Sequence, residues 1–127
     1  MSHVFQPRSG PILVEAEVSG PSGKAAAKLV LDTGATTTTL NGRLLRSIGY
    51  EPDAATESVR ITTGSRVETV PRLTVNRLSA LGKHAIGLQI LAHTLPDEAA
   101  VDGLLGLDFF RGTSLTIDFR AGQIALT

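Results

Sequence analysis

The stretch LVLDTGATTTTL, Leu29 to Leu40, ends an apolar run in an aspartate, places a glycine two residues later and continues into four threonines. A carboxylate driven out of a buried strand into a tight turn can do chemistry if a second carboxylate meets it. The ionised member of such a pair takes a proton from water, and the protonated member gives one to a carbonyl oxygen. That is hydrolysis without a metal or a covalent nucleophile. The competing reading is plain turn chemistry, because Asp and Gly suit turns for purely local reasons. The tripeptide Asp32-Thr33-Gly34 alone does not choose between the two.

Other residues offer less. Asp102 and Asp108 flank Leu104-Leu105-Gly106 and are formal candidates for a second carboxylate within the chain. Asp108 reads more simply as a cap on the turn Asp108 to Arg111, and Asp102 as a loop residue before Gly103. Asp118 alternates with Leu115, Ile117 and Phe119, which sets it on the outer face of a strand, and Asp97-Glu98 beside Pro96 reads as a solvated loop. His3, His84 and His93 lack partners at metal-ligand spacing, and the chain has no cysteine, so neither a zinc site nor any other cofactor is expected. Ser58, Ser65 and Ser114 sit in no nucleophile elbow, which argues against a serine hydrolase.

The elements that must hold Asp32 are mostly strands. Ile12, Val14, Ala16 and Val18 share one face, with Glu15 and Glu17 on the other. The turn residues Ser19 to Gly23 follow, so residues 12–32 read as a hairpin whose last part, Leu29-Val30-Leu31, is apolar on both faces. Asn41 can cap a short helix carrying Leu44, Leu45 and Ile48, with Gly49 at its end. A second hairpin has Thr63-Gly64-Ser65 at its tip and closes at Pro71. RLTVNRLSAL and HAIGLQILAHTL read as further strands, the latter with Ile86, Leu88 and Ile90 on one face. SLTIDF and QIAL make a last hairpin around Arg120-Ala121-Gly122. The expected fold class is all-β, a closed or nearly closed barrel with one or two short helices.

The bulk numbers narrow the function. A chain of 127 residues fits a single domain spanning 1–127. Twelve basic residues balance twelve acidic ones, which leaves no field for a nucleic-acid backbone. No apolar run spans a bilayer, and the expected location is cytoplasmic; a soluble piece of a longer, anchored precursor would look the same.

Taken in order, the apolar strand into Asp32-Thr33-Gly34-Ala35, the short helix, the glycine-tipped hairpin and Leu104-Leu105-Gly106 resemble the retropepsin-like aspartic proteases, the retroviral enzymes and their cellular relatives. The resemblance runs from the first hairpin to the last strand and implies an acid-protease barrel. It implies that Asp32 is catalytic, supported by Thr33, Gly34 and Ala35, and that Thr62, Thr63, Gly64 and Ser65 belong to a flap over the substrate. It also implies that Leu104, Leu105 and Gly106 pack under the Asp32 loop. Two carboxylates about 3 Å apart sharing a proton are the general pattern of such enzymes.

This chain carries one Asp-Thr-Gly where a two-domain pepsin-like enzyme carries two. The second carboxylate is therefore expected from a second copy across a two-fold axis, with the Thr33 hydroxyl reaching the other loop. Ala35 stands where pepsin-like enzymes have a hydroxyl, and fewer donors predict a mildly acidic pH optimum. Thr36 and Leu107 replace the Asp and Arg that often pair in retroviral enzymes, and the only tyrosine, Tyr50, lies away from the flap. The reading is a homodimeric aspartic endopeptidase acting on an extended peptide or protein through mostly apolar pockets. Two alternatives stand beside it: a non-catalytic dimeric peptide- or protein-binding module on the same fold, and a processing domain that cuts only its own precursor.

Overall fold

The computed structural model describes residues 2–93 and 100–127. The ends of the chain make one small sheet in the order β1-β10-β9, from Ser2–Val4, Gln123–Leu126 and Leu115–Asp118. All other strands join a second sheet: β2 (Leu13–Gly20), β3 (Gly23–Leu31), β8 (Gly103–Leu105), β4 (Thr39–Asn41), β7 (Lys83–His93), β6 (Arg66–Ala80) and β5 (Glu57–Thr63), in that order. β6 also pairs with β2, from Ala16↔Ala80 to Ser19↔Arg77, so six of these strands close into a barrel. β5 hangs outside it, bonded to β6 alone. Two short helices, α1 (Gly42–Ser47) and α2 (Leu107–Phe110), complete the all-β architecture expected from the sequence. Among the described residues, no helix is long and apolar enough to cross a membrane.

The barrel closes because alternation puts the right side chains inside. Val14, Ala16 and Val18 of β2 are buried, and with Leu29, Leu40, Leu78, Ile90 and Leu105 they fill the interior. Each such large side chain stabilises the fold by about 1.5–3 kcal/mol. Asn41 begins α1 as foreseen, its Oδ1 accepting the Arg43 N–H at 2.9 Å. Gly49 ends it with φ +100, the left-handed step that follows many helices.

Three features depart from the sequence expectations. β6 does not stop at Pro71 but runs through it for 15 residues, taking in most of RLTVNRLSAL. Pro71 opposite Ser58 precedes the first β6–β7 pair, Arg72↔Leu91, so its missing N–H interrupts no ladder to β7. Second, Ile86 does not share the inner face with Leu88 and Ile90; it is 73% exposed. The β6–β7 register skips Asn76 and Gly87, and Gly87 has φ +66. Across this break the inner face passes from Leu73 and Val75 to Leu78 and Ala80. The Tyr50 hydroxyl takes over the lost ladder contact, accepting the Asn76 N–H at 2.7 Å and donating to the Ser19 carbonyl at 3.0 Å. Third, β1, β4 and a 3₁₀ turn at Pro52–Ala54 had no periodic signature, being three residues each. Asp118 is exposed as expected, while Asp97-Glu98 and the last two residues of HAIGLQILAHTL lie outside the described residues.

Two glycines separate strain from collision. A side chain at Gly87 would meet open space, whereas one at Gly103 would run into the Thr39 backbone. Gly87→Ala is expected to cost about 1–2 kcal/mol, the penalty of a left-handed residue alone, and Gly103→Ala several times more. Urea unfolding of both variants checks this; equal losses would contradict it.

Candidate active site

β3 delivers Asp32 to the barrel's end. The last β3 pairs are Val30↔Leu104 and Leu31↔Leu105, parallel to β8, and the Asp32 N–H continues the ladder to the Leu105 carbonyl at 3.0 Å. The chain then turns sharply, with the Ala35 N–H donating to the Asp32 carbonyl at 3.1 Å. The Gly34 N–H points back at the Asp32 carboxylate, 2.9 Å from Oδ1. Gly34 does not have the left-handed φ that a turn glycine often supplies. What it supplies is room, since a Cβ there would stand 3.2 Å from that carboxylate oxygen. Asp32 is half-buried, and Thr33 and Gly34 at the tip are exposed.

The segment after β8 holds the loop from beneath. Gly106 is buried, and a Cβ on it would lie 2.8 Å from the Ala35 carbonyl oxygen and 3.0 Å from the Thr38 nitrogen. Only a glycine lets the two chains approach this closely. Past it, the Leu107 N–H donates to the Ala35 carbonyl at 2.8 Å and the Asp108 N–H to the Thr36 carbonyl at 3.2 Å. Leu105 is fully buried, and Leu104 is half-buried between β3 and β4.

Sequence reasoning missed the polar bolt that locks this crossing. Thr38 is fully buried, and its hydroxyl donates to Asp108 Oδ1 at 2.6 Å while accepting the Gly106 N–H at 3.1 Å. Its backbone N–H bridges both Asp108 oxygens at 3.0 Å. Gly106 is the N-cap of α2, and Asp108 in its first turn accepts the Phe109 N–H on Oδ1 at 2.9 Å, the local role expected of it; it also ties the loop to α2 across 70 positions of sequence. Alternation within the threonine run gave the one available hint, since Thr38 and Leu40 point inward on the same face. Asp102 is also engaged elsewhere, accepting the Lys28 N–H at 2.8 Å. Both candidates for an intrachain second carboxylate are thus occupied in structural roles.

The hairpin tip stands apart from this network. Thr62, Gly64 and Ser65 are exposed at the far end of β5 and β6, with Gly64 at φ +62 and Thr63 paired to Arg66. Between the hairpin's stem and the loop lies a groove of ≈ 560 Å³. Val59 and Arg72 line it from the stem, Leu88 and Leu91 from β7, and Thr37 and Asp108 from beside the loop. Its lining is mixed rather than apolar throughout. No group of three or more His, Asp or Glu gathers as a metal site among the described residues.

The bolt can be tested apart from catalysis. Thr38→Val keeps the shape but leaves the Gly106 N–H without its partner and removes the shortest hydrogen bond to Asp108 Oδ1, which keeps only backbone donors. It is expected to lower stability by about 2–3 kcal/mol, the range for hydrogen bonds to a charged group, with Thr38→Ser much milder. Denaturant titration reads the difference, and a Val variant as stable as the Ser variant would contradict it.

Comparison with known proteins agrees with this geometry. Residues 16–112 match the family described as "gag-polyprotein putative aspartyl protease". Among curated proteins, none matches the sequence. Among solved structures, the chain is similar to a retropepsin-like aspartic protease from Rickettsia conorii, with a TM-score of 0.72 and 19% identity. That match covers 99% of this chain and 88% of the other. The chain belongs to the gag-polyprotein aspartyl protease family, and its barrel has the retropepsin-like fold.

Proposed function

We propose that residues 1–127 form one half of a two-fold symmetric aspartic endopeptidase, with Asp32 as its single catalytic residue per chain. The observation that carries this reading is the Asp32 loop itself. It is bonded to the barrel beneath, yet its tip, Thr33 and Gly34, is exposed. A carboxylate held this way is half of a proton-sharing pair. A second copy across a two-fold axis supplies the other half, with the exposed Thr33 hydroxyls free to reach across.

The reaction follows from that pairing. One Asp32 carboxylate takes a proton from a water held between the two, and the water oxygen attacks the peptide carbonyl. The other Asp32, protonated, gives its proton to the carbonyl oxygen. Collapse of the tetrahedral intermediate breaks the C–N bond as the amine is protonated. The hairpin tip at Thr62, Thr63, Gly64 and Ser65 acts as the flap, its backbone bonding an extended substrate like an added strand. The groove between the hairpin's stem and the loop supports this use, being lined by both polar and apolar side chains.

The small terminal sheet supports pairing with a second copy. Its order leaves the outer edges of β1 and β9 open, and an open edge is a ready template for another strand. Val4 and Phe119 are exposed there, at 79% and 62%.

Asp32→Asn is expected to abolish peptidase activity, a loss on the order of 10³-fold or more, the scale of acid–base catalysis. Sedimentation should show its dimer intact. Specific activity of the wild type should fall on dilution as dimers separate. An Asn variant that still cuts peptides would contradict the proposal. A wild type inert toward a broad peptide library would favour the binding-module reading.

A further inference from the structure

We propose that Lys83 is a positioning residue for the Asp32 loop, acting through α2; this rests on the reading of Asp32 as catalytic. Lys83 opens β7 directly after a tight turn, where Leu81 (φ 53) and Gly82 (φ 79) are both left-handed, the geometry of a two-residue hairpin. Its half-buried side chain crosses to α2. Nζ donates to the Phe109 carbonyl at 2.6 Å and to the Arg111 carbonyl at 3.1 Å, and lies 5.2 Å from the centre of the Phe109 ring.

These carbonyls need an outside donor. In a continuing α-helix the Thr113 N–H would reach the Phe109 carbonyl. Here it goes to the Phe110 carbonyl at 3.0 Å, joined by the Thr113 hydroxyl at 2.6 Å. A helix of four residues, with a glycine as its N-cap, has no stability of its own. It is held instead at its two ends. The N-terminal end is bonded to the loop through Leu107 and Asp108, and the C-terminal end is held by Lys83. Phe109, wholly buried, sits between as the fulcrum.

The connection makes Lys83 more than an anchor. If the C-terminal end of α2 shifts, the tilt passes to the Leu107 and Asp108 N–H groups and from them to Ala35 and Thr36. Asp32 lies on the same loop and is bonded to Leu105, one residue before Gly106. A misplacement of about 1 Å at a reacting group is enough to slow a reaction roughly a hundredfold. A lysine suits the post because its ammonium offers three donors, enough for two carbonyls, on a stem that reaches across from β7. Its charge also lies favourably over an aromatic face.

The test compares Lys83→Met and Lys83→Arg with the wild type, using Lys24→Met as a surface control. Amide hydrogen exchange is read at Asp32 and Leu107 relative to Ile124 in the small sheet, which lies outside the loop crossing. For Lys83→Met, exchange at Asp32 and Leu107 should quicken against Ile124. In parallel, kcat per folded dimer should fall roughly tenfold, equivalent to about 1.4 kcal/mol, at unchanged KM. Lys83→Arg should restore both. Should the Met variant not fold, Lys83→Gln keeps two N–H donors on a shorter, uncharged stem and is read the same way. Uniformly faster exchange with kcat per folded dimer unchanged would reduce Lys83 to a general anchor and overturn the proposal. A wild type without peptidase activity would defeat the catalytic reading, while the exchange pattern would still report whether Lys83 positions the loop.

Discussion

Everything in this molecule that bears on chemistry depends on two chain segments crossing in close contact. The loop from Asp32 to Thr38 lies directly on the segment from Leu105 to Asp108, and backbone N–H groups bond across the crossing in both directions. Gly106 makes the approach possible, because any side chain there would stand inside the Ala35 and Thr38 backbones. The Thr38–Asp108 bolt then satisfies the polar groups that the crossing buries. A loop secured in this manner has its backbone fixed on both sides of the Asp32 carboxylate. That is what an acid–base group needs if its geometry is to be ready before substrate arrives.

The same crossing explains why the site looks incomplete. Structural hydrogen bonds occupy Asp102 and Asp108, the two acids nearest in sequence to the supporting segment. Asp32 is left at a half-buried rim, with an exposed threonine and glycine beside it. On the reading proposed above, a symmetric partner would convert this rim into an interior. Desolvation, proton sharing and substrate enclosure would then arise from one assembly step, with the hairpin of β5 and β6 closing over the result. Among the described residues β5 is bonded to the barrel through β6 alone, which leaves it few contacts holding it in place.

Much of this could be read from residue order. Period-two alternation gave β2 and the last hairpin, the turn after β2 implied β3, and Asn41 and Gly49 marked the ends of α1 by capping chemistry alone. The Asp-Thr-Gly loop and its apolar-Gly counterpart were legible because each needs particular residue types. What stayed hidden was non-local. Nothing in the spacing tells that Thr38 and Asp108 meet, since a buried threonine and a turn aspartate each have an ordinary local reading. The face switch at Gly87 was invisible because Ile86, Leu88 and Ile90 keep strict alternation while the backbone does not. Pro71 suggested a strand end, but it pairs with Ser58 of β5 and precedes the first pair to β7, so β6 continues through it. Nothing in the spacing singles out Lys83, whose two carbonyl partners, Phe109 and Arg111, lie far along the chain.

The claim that two copies build one site can be tested by mixing subunits. Wild-type and Asp32→Asn chains are combined in known ratio, allowed to exchange, and assayed above the dimer dissociation constant. If both carboxylates are required, activity should follow the square of the wild-type fraction, because every mixed pair is dead. Activity in simple proportion to that fraction would mean that one chain catalyses unaided, which contradicts a site shared between two copies.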